Sequence, residues 1–480
     1  MKMKTPLLVM LLFLSAQLFV VSPATSAPLT PRAGGQVREF RLTASAMTYE
    51  FVKGQPTTAW AYNNQVPGPA LRVREGDLVR VSFSNNLPEP TTIHWHGVNV
   101  PTSMDGVPDI SQPPVKPGGT FTYEFVAAPA GTRWYHAHFA EHQQLRLGLY
   151  APLIIEPRGE DTRYDRDYTI TFAEWSPDAL HPDHNQPNGG MMGSGMMGGG
   201  MMGTPDDPNV MFTVNGKASP AAQPLMVKQG ERVRLRFINA SATQTHIIRL
   251  EGHTMRITHT DGNPLSLPRE VDAIEIGAGE RYDVEVIADQ PGVWALRCVR
   301  PGHAERGLKM LMRYEGVADD GRESVDARNR RAFRVWPDAI LGQRPAAGET
   351  TRPDKQFQLT LSGGMMMGDM MGGDDANTWT INGKAYPNTD PLVVRQGNRV
   401  RVLLFNMSME DHPMHLHGHS FTVLQYGERP ITPMVRDTIT VRHMESYDIE
   451  FVADNPGTWF FHCHNAEHME GGLITLVKYQ

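Results

Sequence analysis

Apolar and polar residues alternate in short runs along most of this chain, the period-two pattern of half-buried strands. Leu71-Arg72-Val73-Arg74, the turn Glu75-Gly76-Asp77 and Leu78-Val79-Arg80-Val81 show it clearly. The same phrase returns as Leu225-Met226-Val227-Lys228 before Arg232-Val233-Arg234-Leu235, and as Leu392-Val393-Val394-Arg395 before Arg399-Val400-Arg401-Val402. Each copy follows an asparagine turn, Asn63-Asn64, Asn215-Gly216 or Asn382-Gly383, which is hairpin grammar. Each repeat then closes on a second shared phrase: Pro129-Ala130-Gly131-Thr132-Arg133-Trp134, Gln290-Pro291-Gly292-Val293-Trp294 and Asn455-Pro456-Gly457-Thr458-Trp459. Repetition on this scale predicts an all-β chain of three consecutive β-sandwich domains, over 36–160, 161–320 and 350–480.

Histidines recur within this pattern as i, i+2 pairs: His94 and His96, His136 and His138, His415 and His417, His462 and His464. On an extended strand both rings of such a pair share one face, and the residue between them faces the other way. Cys463 is that intervening residue in the last pair, with His412 upstream and His468 five residues beyond it. A thiolate with imidazoles suits copper, and the backbone through Cys463 joins a metal centre on one face to a second on the other. One such pair among 19 histidines would be weak evidence. Four pairs, the last enclosing one of only two cysteines, form a metal-site pattern.

These motifs, in this order, resemble those of the multicopper oxidases, the laccase-like and copper-resistance family, over almost the whole mature chain. The resemblance implies cupredoxin-like sandwiches and copper as cofactor, four ions per chain. It matches His412, Cys463 and His468 to a blue mononuclear site, and His94 and His415 to the lone copper of a trinuclear cluster. His96, His136, His138, His417, His462 and His464 match the ligands of the cluster's coupled pair. It also implies two catalytic roles, Cys463 as the electron path and Asp105, in Met104-Asp105-Gly106-Val107-Pro108, as the acid that delivers protons. The chain departs from the family at two places. Leu473 stands where many bacterial members carry an axial methionine, and a non-coordinating residue there favours Cu(I); Met469, though near in sequence, is poorly spaced to replace it. Met469 also stands where the family has a carboxylate, leaving Glu467 and Glu470 as its stand-ins.

The middle repeat has lost the histidine pairs. It has His246, Arg249 and Glu251 where the third repeat has His412, His415 and His417, and Ala295-Leu296-Arg297-Cys298 where that repeat has His462-Cys463-His464. We expect a spacer without copper. His246, Cys298 and His303 read, in an imperfect register, as relics packed in its core, with a vestigial copper site as the alternative.

Residues 1–27 read as a secretory signal: Met1-Lys2-Met3-Lys4, an apolar run from Pro6 to Val21, and small residues offering cleavage after Ala24 or Ala27. No arginine pair precedes the run, so a general secretory route is expected, with copper loaded after export to the periplasm or medium. The net charge of −7 falls to −9 when Lys2 and Lys4 leave with the signal, which argues against nucleic acid as a partner. A monomer without a membrane anchor is expected.

Eleven of the 27 methionines fall in two glycine-rich inserts, 191–202 in the second repeat and 365–371 in the third, with His181 and His184 ahead of the first. Thioethers are soft ligands for Cu(I), and similar inserts mark the copper-resistance branch. Dioxygen and Cu(I), or phenolic and other small organic donors, are therefore the expected partners. The alternatives are a phenol oxidase proper, whose inserts gate access, and a non-catalytic copper-binding or scaffold protein. The complete set of ligand positions disfavours the latter.

Overall fold

A computed structural model describes residues 29–159, 163–176, 210–318, 321–326, 333–337, 352–363 and 378–480. The signal segment and both methionine-rich inserts lie outside these residues. The described chain forms six sheets, two for each repeat. In every repeat a long first strand runs parallel to a later one, Val37–Val52 with Leu78–Asn86, Arg166–Trp175 with Arg232–Asn239, and Lys355–Gly363 with Arg399–Asn406. The all-β, three-sandwich architecture expected from the alternation is the one observed.

The asparagine turns owe their residues to backbone conformation. Asn215 and Asn382 have φ of +49° and +53°, values that asparagine tolerates and β-branched residues do not. The closing phrases have a mechanical role: the indole N–H of Trp294 donates to Gln290 O and that of Trp459 to Asn455 O, both at 2.7 Å. Trp459 lies directly over Gly418, where an added Cβ would stand 2.5 Å from the indole ring. That glycine, at φ +65°, lets the chain turn immediately after His417.

The site is carried by a few elements: β1 (Ile93–His96) and β2 (Gly131–Ala137), followed by the short helix α1 (Glu141–Leu147). The middle domain contributes the corresponding β3 (His246–Leu250) and β4 (Val293–Cys298). In the third domain they are β5 (His412–Leu416), β6 (Thr458–Cys463) and α2 (Ala466–Glu470). Register sets His94 opposite His136 across β1 and β2, and His415 opposite His462 across β5 and β6. The first and third domains meet along these histidines, with Asn455 Nδ2 donating to Val100 O at 3.1 Å nearby.

Candidate metal centre

The structure brings the eleven residues singled out as ligands into two groups, each of them at most 5% exposed. In the first group Cys463 Sγ lies 3.6 Å from His412 Nδ1 and 3.7 Å from His468 Nδ1, and the two nitrogens are 3.0 Å apart. The far sides of the rings are held: His412 Nε2 is 2.6 Å from Ser408 Oγ, and His468 Nε2 is 3.0 Å from Glu410 Oε2. The Trp379 ring lies over His468 with centroids 3.9 Å apart. Leu473 is pinned against both ligating segments, its N–H donating to His468 O and its carbonyl accepting from Cys463 N–H. Met469 belongs to a separate apolar cluster with Val107, Phe460 and Ile474.

The second group gathers eight imidazoles at the junction of the first and third domains. Five of them donate the Nδ1 proton to an oxygen: His94 to Asp105 O, His136 to Ala137 O, His415 to Asp437 O, His462 to Cys463 O and His417 to Asp105 Oδ2, all at 2.8–2.9 Å. Such a bond fixes the tautomer and leaves Nε2 with a lone pair for a metal. His96 is turned over, with Nε2 engaged by Thr438 Oγ1 at 3.0 Å and Asp437 Oδ1 at 3.2 Å, leaving Nδ1 inward. Lone pairs face one another across the group, His417 Nε2 to His462 Nε2 at 2.9 Å and His94 Nε2 to His415 Nε2 at 3.4 Å.

His96 Nδ1, His136 Nε2, His138 Nε2 and both nitrogens of His464 are buried without a hydrogen-bond partner among the described residues. Orphaned buried nitrogens cost stability unless something binds them. Burial also holds His138 and His464 down to about 3, and puts His96, His136, His412, His415, His417 and His462 well below the ordinary imidazole range. They are neutral donors at physiological pH. The same burial pushes the Cys463 thiol up, so its proton leaves only when a metal takes the sulfur. These histidine and cysteine groups fit copper sites.

Asp105 is buried beside the cluster rather than exposed on its loop. One oxygen accepts from His417 and the other, 3.2 Å from His94 Nδ1, has no hydrogen bond among the described residues. The suggested stand-ins, Glu467 and Glu470, turn instead to His142 of α1. A second buried carboxyl at the cluster is one the sequence reading missed, Glu141. Its oxygens stand 3.7–3.8 Å from His136, His138 and His464, and burial, reinforced by Glu470, keeps it well above the usual carboxylate range. The only sequence signal for it is its position three residues after His138. The middle domain reaches the cluster too: a Cβ at Gly279 would stand 2.8 Å from the His464 ring.

Family models described as multicopper oxidase match residues 43–160, 166–316 and 361–480. The chain belongs to the multicopper oxidase family. It is 35% identical over 446 residues to multicopper oxidase MmcO of Mycobacterium tuberculosis, covering 89% of this chain and 84% of that protein. It is 26% identical over 576 residues to copper resistance protein A of Pseudomonas syringae pv. tomato, with 92% of each chain covered. Among solved structures, a laccase from Botrytis aclada aligns with a TM-score of 0.74 at 26% identity, covering 92% of this chain and 88% of that one. Membership makes the protein a copper-dependent oxidoreductase that uses dioxygen and a reducing substrate.

Proposed function

We propose that the protein is a cuprous oxidase, coupling one-electron oxidation of Cu(I) to the four-electron reduction of dioxygen to water, with small phenols as secondary donors. His412, Cys463 and His468 hold the blue copper of a four-ion set. His94 and His415 hold the lone cluster copper; His138, His417 and His462 hold one member of the pair, and His96, His136 and His464 the other. Bound copper supplies the one-electron steps that must be collected before dioxygen is fully reduced. The peptide at Cys463 joins that residue directly to His462 and His464. Asp105 orients His417 and keeps one oxygen free to carry a proton at the cluster, and Glu141, its carboxyl raised by burial, stands against His136, His138 and His464.

The observation that carries the choice of donor lies outside the mononuclear group. Met407, Met409 and Met444 are 48%, 57% and 59% exposed, unusual for methionine, and the first two flank Ser408 and precede Glu410, which contact His412 and His468. Met444 N–H donates to Asn406 O, which ties its turn to this segment. Soft thioethers beside a carboxylate suit capture of cuprous ion, and the histidine they border leads into the blue site. The inserts at 191–202 and 365–371 add further thioethers, and residues 1–27, read as a secretory signal, support an activity in the periplasm or medium.

The test is steady-state oxidation of Cu(I) against a methoxyphenol. The wild type is compared with the combined Met407→Leu, Met409→Leu, Met444→Leu variant and with a chain lacking 191–202 and 365–371. Loss of Cu(I) oxidation at low substrate, with phenol oxidation kept or raised, is expected from both. Equal retention of the two activities would transfer the protein to the phenol oxidases.

A further inference from the structure

The middle domain holds a second thiol between two imidazoles. Strand pairing sets Ile248 of β3 opposite Cys298 of β4, as it sets Met414 of β5 opposite Cys463 of β6. His246 therefore stands where His412 stands, and His303, five residues past Cys298, matches His468. The register that looks imperfect along the chain is the same once the strands are paired.

The correspondence extends to the supports. His246 Nδ1 and His303 Nδ1 are 3.1 Å apart, against 3.0 Å for His412 and His468. Ser241 Oγ lies 2.9 Å from His246 Nε2, as Ser408 Oγ lies 2.6 Å from His412 Nε2. Cys298 N–H donates to Leu308 O at 3.1 Å and Leu308 N–H to His303 O at 3.0 Å, the same pinning seen at Leu473. The Phe212 ring stacks on His303 at 4.4 Å, in the role Trp379 has on His468. His246, Cys298 and His303 are each 0% exposed, and their ligand atoms converge within 4.8 Å.

The positions that would build a cluster have changed completely. Arg249, Glu251 and Arg297 replace His415, His417 and His462, and they are spent in ion pairs, Arg249 with Asp326 at 2.6 Å and Arg297 with Glu251 at 2.8 Å. One half of the domain has thus become ordinary polar structure. The other half keeps a thiol and two imidazoles in the interior, where apolar side chains would avoid the cost of burying polar groups.

We propose that His246, Cys298 and His303 bind a second mononuclear copper ion in the middle domain, one copper beyond the family set. The thiol proton is released as the copper–sulfur bond forms. Ile247 N–H lies 3.3 Å from Cys298 Sγ and donates to it, whereas the matching residue in the third domain, Pro413, has no N–H to give. This bond, with an apolar Leu308 in the place of Leu473, favours Cu(I), so the middle site holds its electron more tightly than the Cys463 site. Arg297 and Val299 flank Cys298 in place of imidazoles, which keeps this copper out of the dioxygen chemistry.

The test uses the copper-loaded full chain and three variants, Cys298→Ser, Cys463→Ser and the double. Each is read by copper per chain, the thiolate-to-copper absorption band and electron paramagnetic resonance after full oxidation. Cys463→Ser is expected to lose oxidase activity yet keep a thiolate-to-copper band, Cys298→Ser to lose one copper while keeping oxidase activity, and the double to lose both bands. Leu308→Met in the Cys463→Ser background should shift the surviving band and its resonance, which a merely structural Cys298 would not do. If Cys463→Ser does not fold, the difference spectrum between wild type and Cys298→Ser gives the same reading, and Leu308→Met is made in the wild type. A colourless Cys463→Ser, or wild-type and Cys298→Ser proteins with identical spectra and copper content, overturns the proposal.

Discussion

Arg281 of the middle domain grips Asp437 of the third with two hydrogen bonds of 2.6 Å, one from each terminal nitrogen. Asp437 also lies 3.3 Å from Arg133 of the first domain and 3.2 Å from the cluster histidine His96. Asp261, held by Arg436 at 3.0 Å, completes a buried charge junction among all three domains, directly beneath the cluster. Breaking one partner of a buried pair strands the other, so Arg281→Met should cost about 3–5 kcal/mol. It should also loosen His96 and lower cluster copper. Calorimetry and copper analysis check this together; an unchanged unfolding transition would show that the junction does not lock the domains.

Acid should weaken the same junction. Burial raises the Asp261 carboxyl, but Arg436 and Arg281 more than reverse this and hold it below the usual aspartate range. A carboxylate depressed in the folded state contributes its full stability above its unfolded value, about 3.9, and loses it as pH falls through the folded value. Asp261→Asn should therefore be less stable at neutral pH and lose less stability than the wild type between about pH 4 and pH 2. Parallel curves for the two proteins would remove Asp261 from the acid response.

Asp105→Asn keeps the shape that holds His417 but cannot carry a proton. Oxygen reduction should slow by about 100-fold or more, the scale of a lost general acid, while reduction of the blue copper stays near wild type. Stopped-flow measurement of the two half-reactions separates them. Equal losses in both would make Asp105 a residue that only orients His417.

The strands and the ligands were legible because both are written at period two: alternation marks the sheets, and histidine pairs two residues apart mark one face of them. What lay hidden was set by long-range pairing. Arg281 and Asp437 are 156 residues apart, and nothing local distinguishes either from a surface charge. Glu141 opens a short helix, ordinarily a solvated place for a glutamate, but is buried against His136 and His138 of the first domain and His464 of the third. Cys298 looked out of step because the stretch from His246 to Cys298 is one residue longer than that from His412 to Cys463, whereas the hydrogen-bonded strands keep the same partners. Met407, Met409 and Met444 belong to neither methionine-rich insert, so composition did not single them out; their exposure beside Glu410 did.

Leu473→Met should lower the potential of the blue copper held by the third domain. Leu473 is 0% exposed, and its backbone is bonded to those of Cys463 and His468, which fixes its Cα beside the two ligating segments. Methionine is close in volume to leucine and is tolerated in a packed core at a cost of about 1.5 kcal/mol or less, so the fold should survive the exchange. A thioether at the axial position donates electron density to Cu(II) and stabilises the oxidised form. With a lower potential the protein accepts electrons less readily, and turnover with weak phenolic donors should fall before turnover with Cu(I). Redox titration of the two proteins in the Cys298→Ser background, where only one thiolate–copper site is possible, isolates the effect. A potential that stays the same or rises would place the axial position elsewhere.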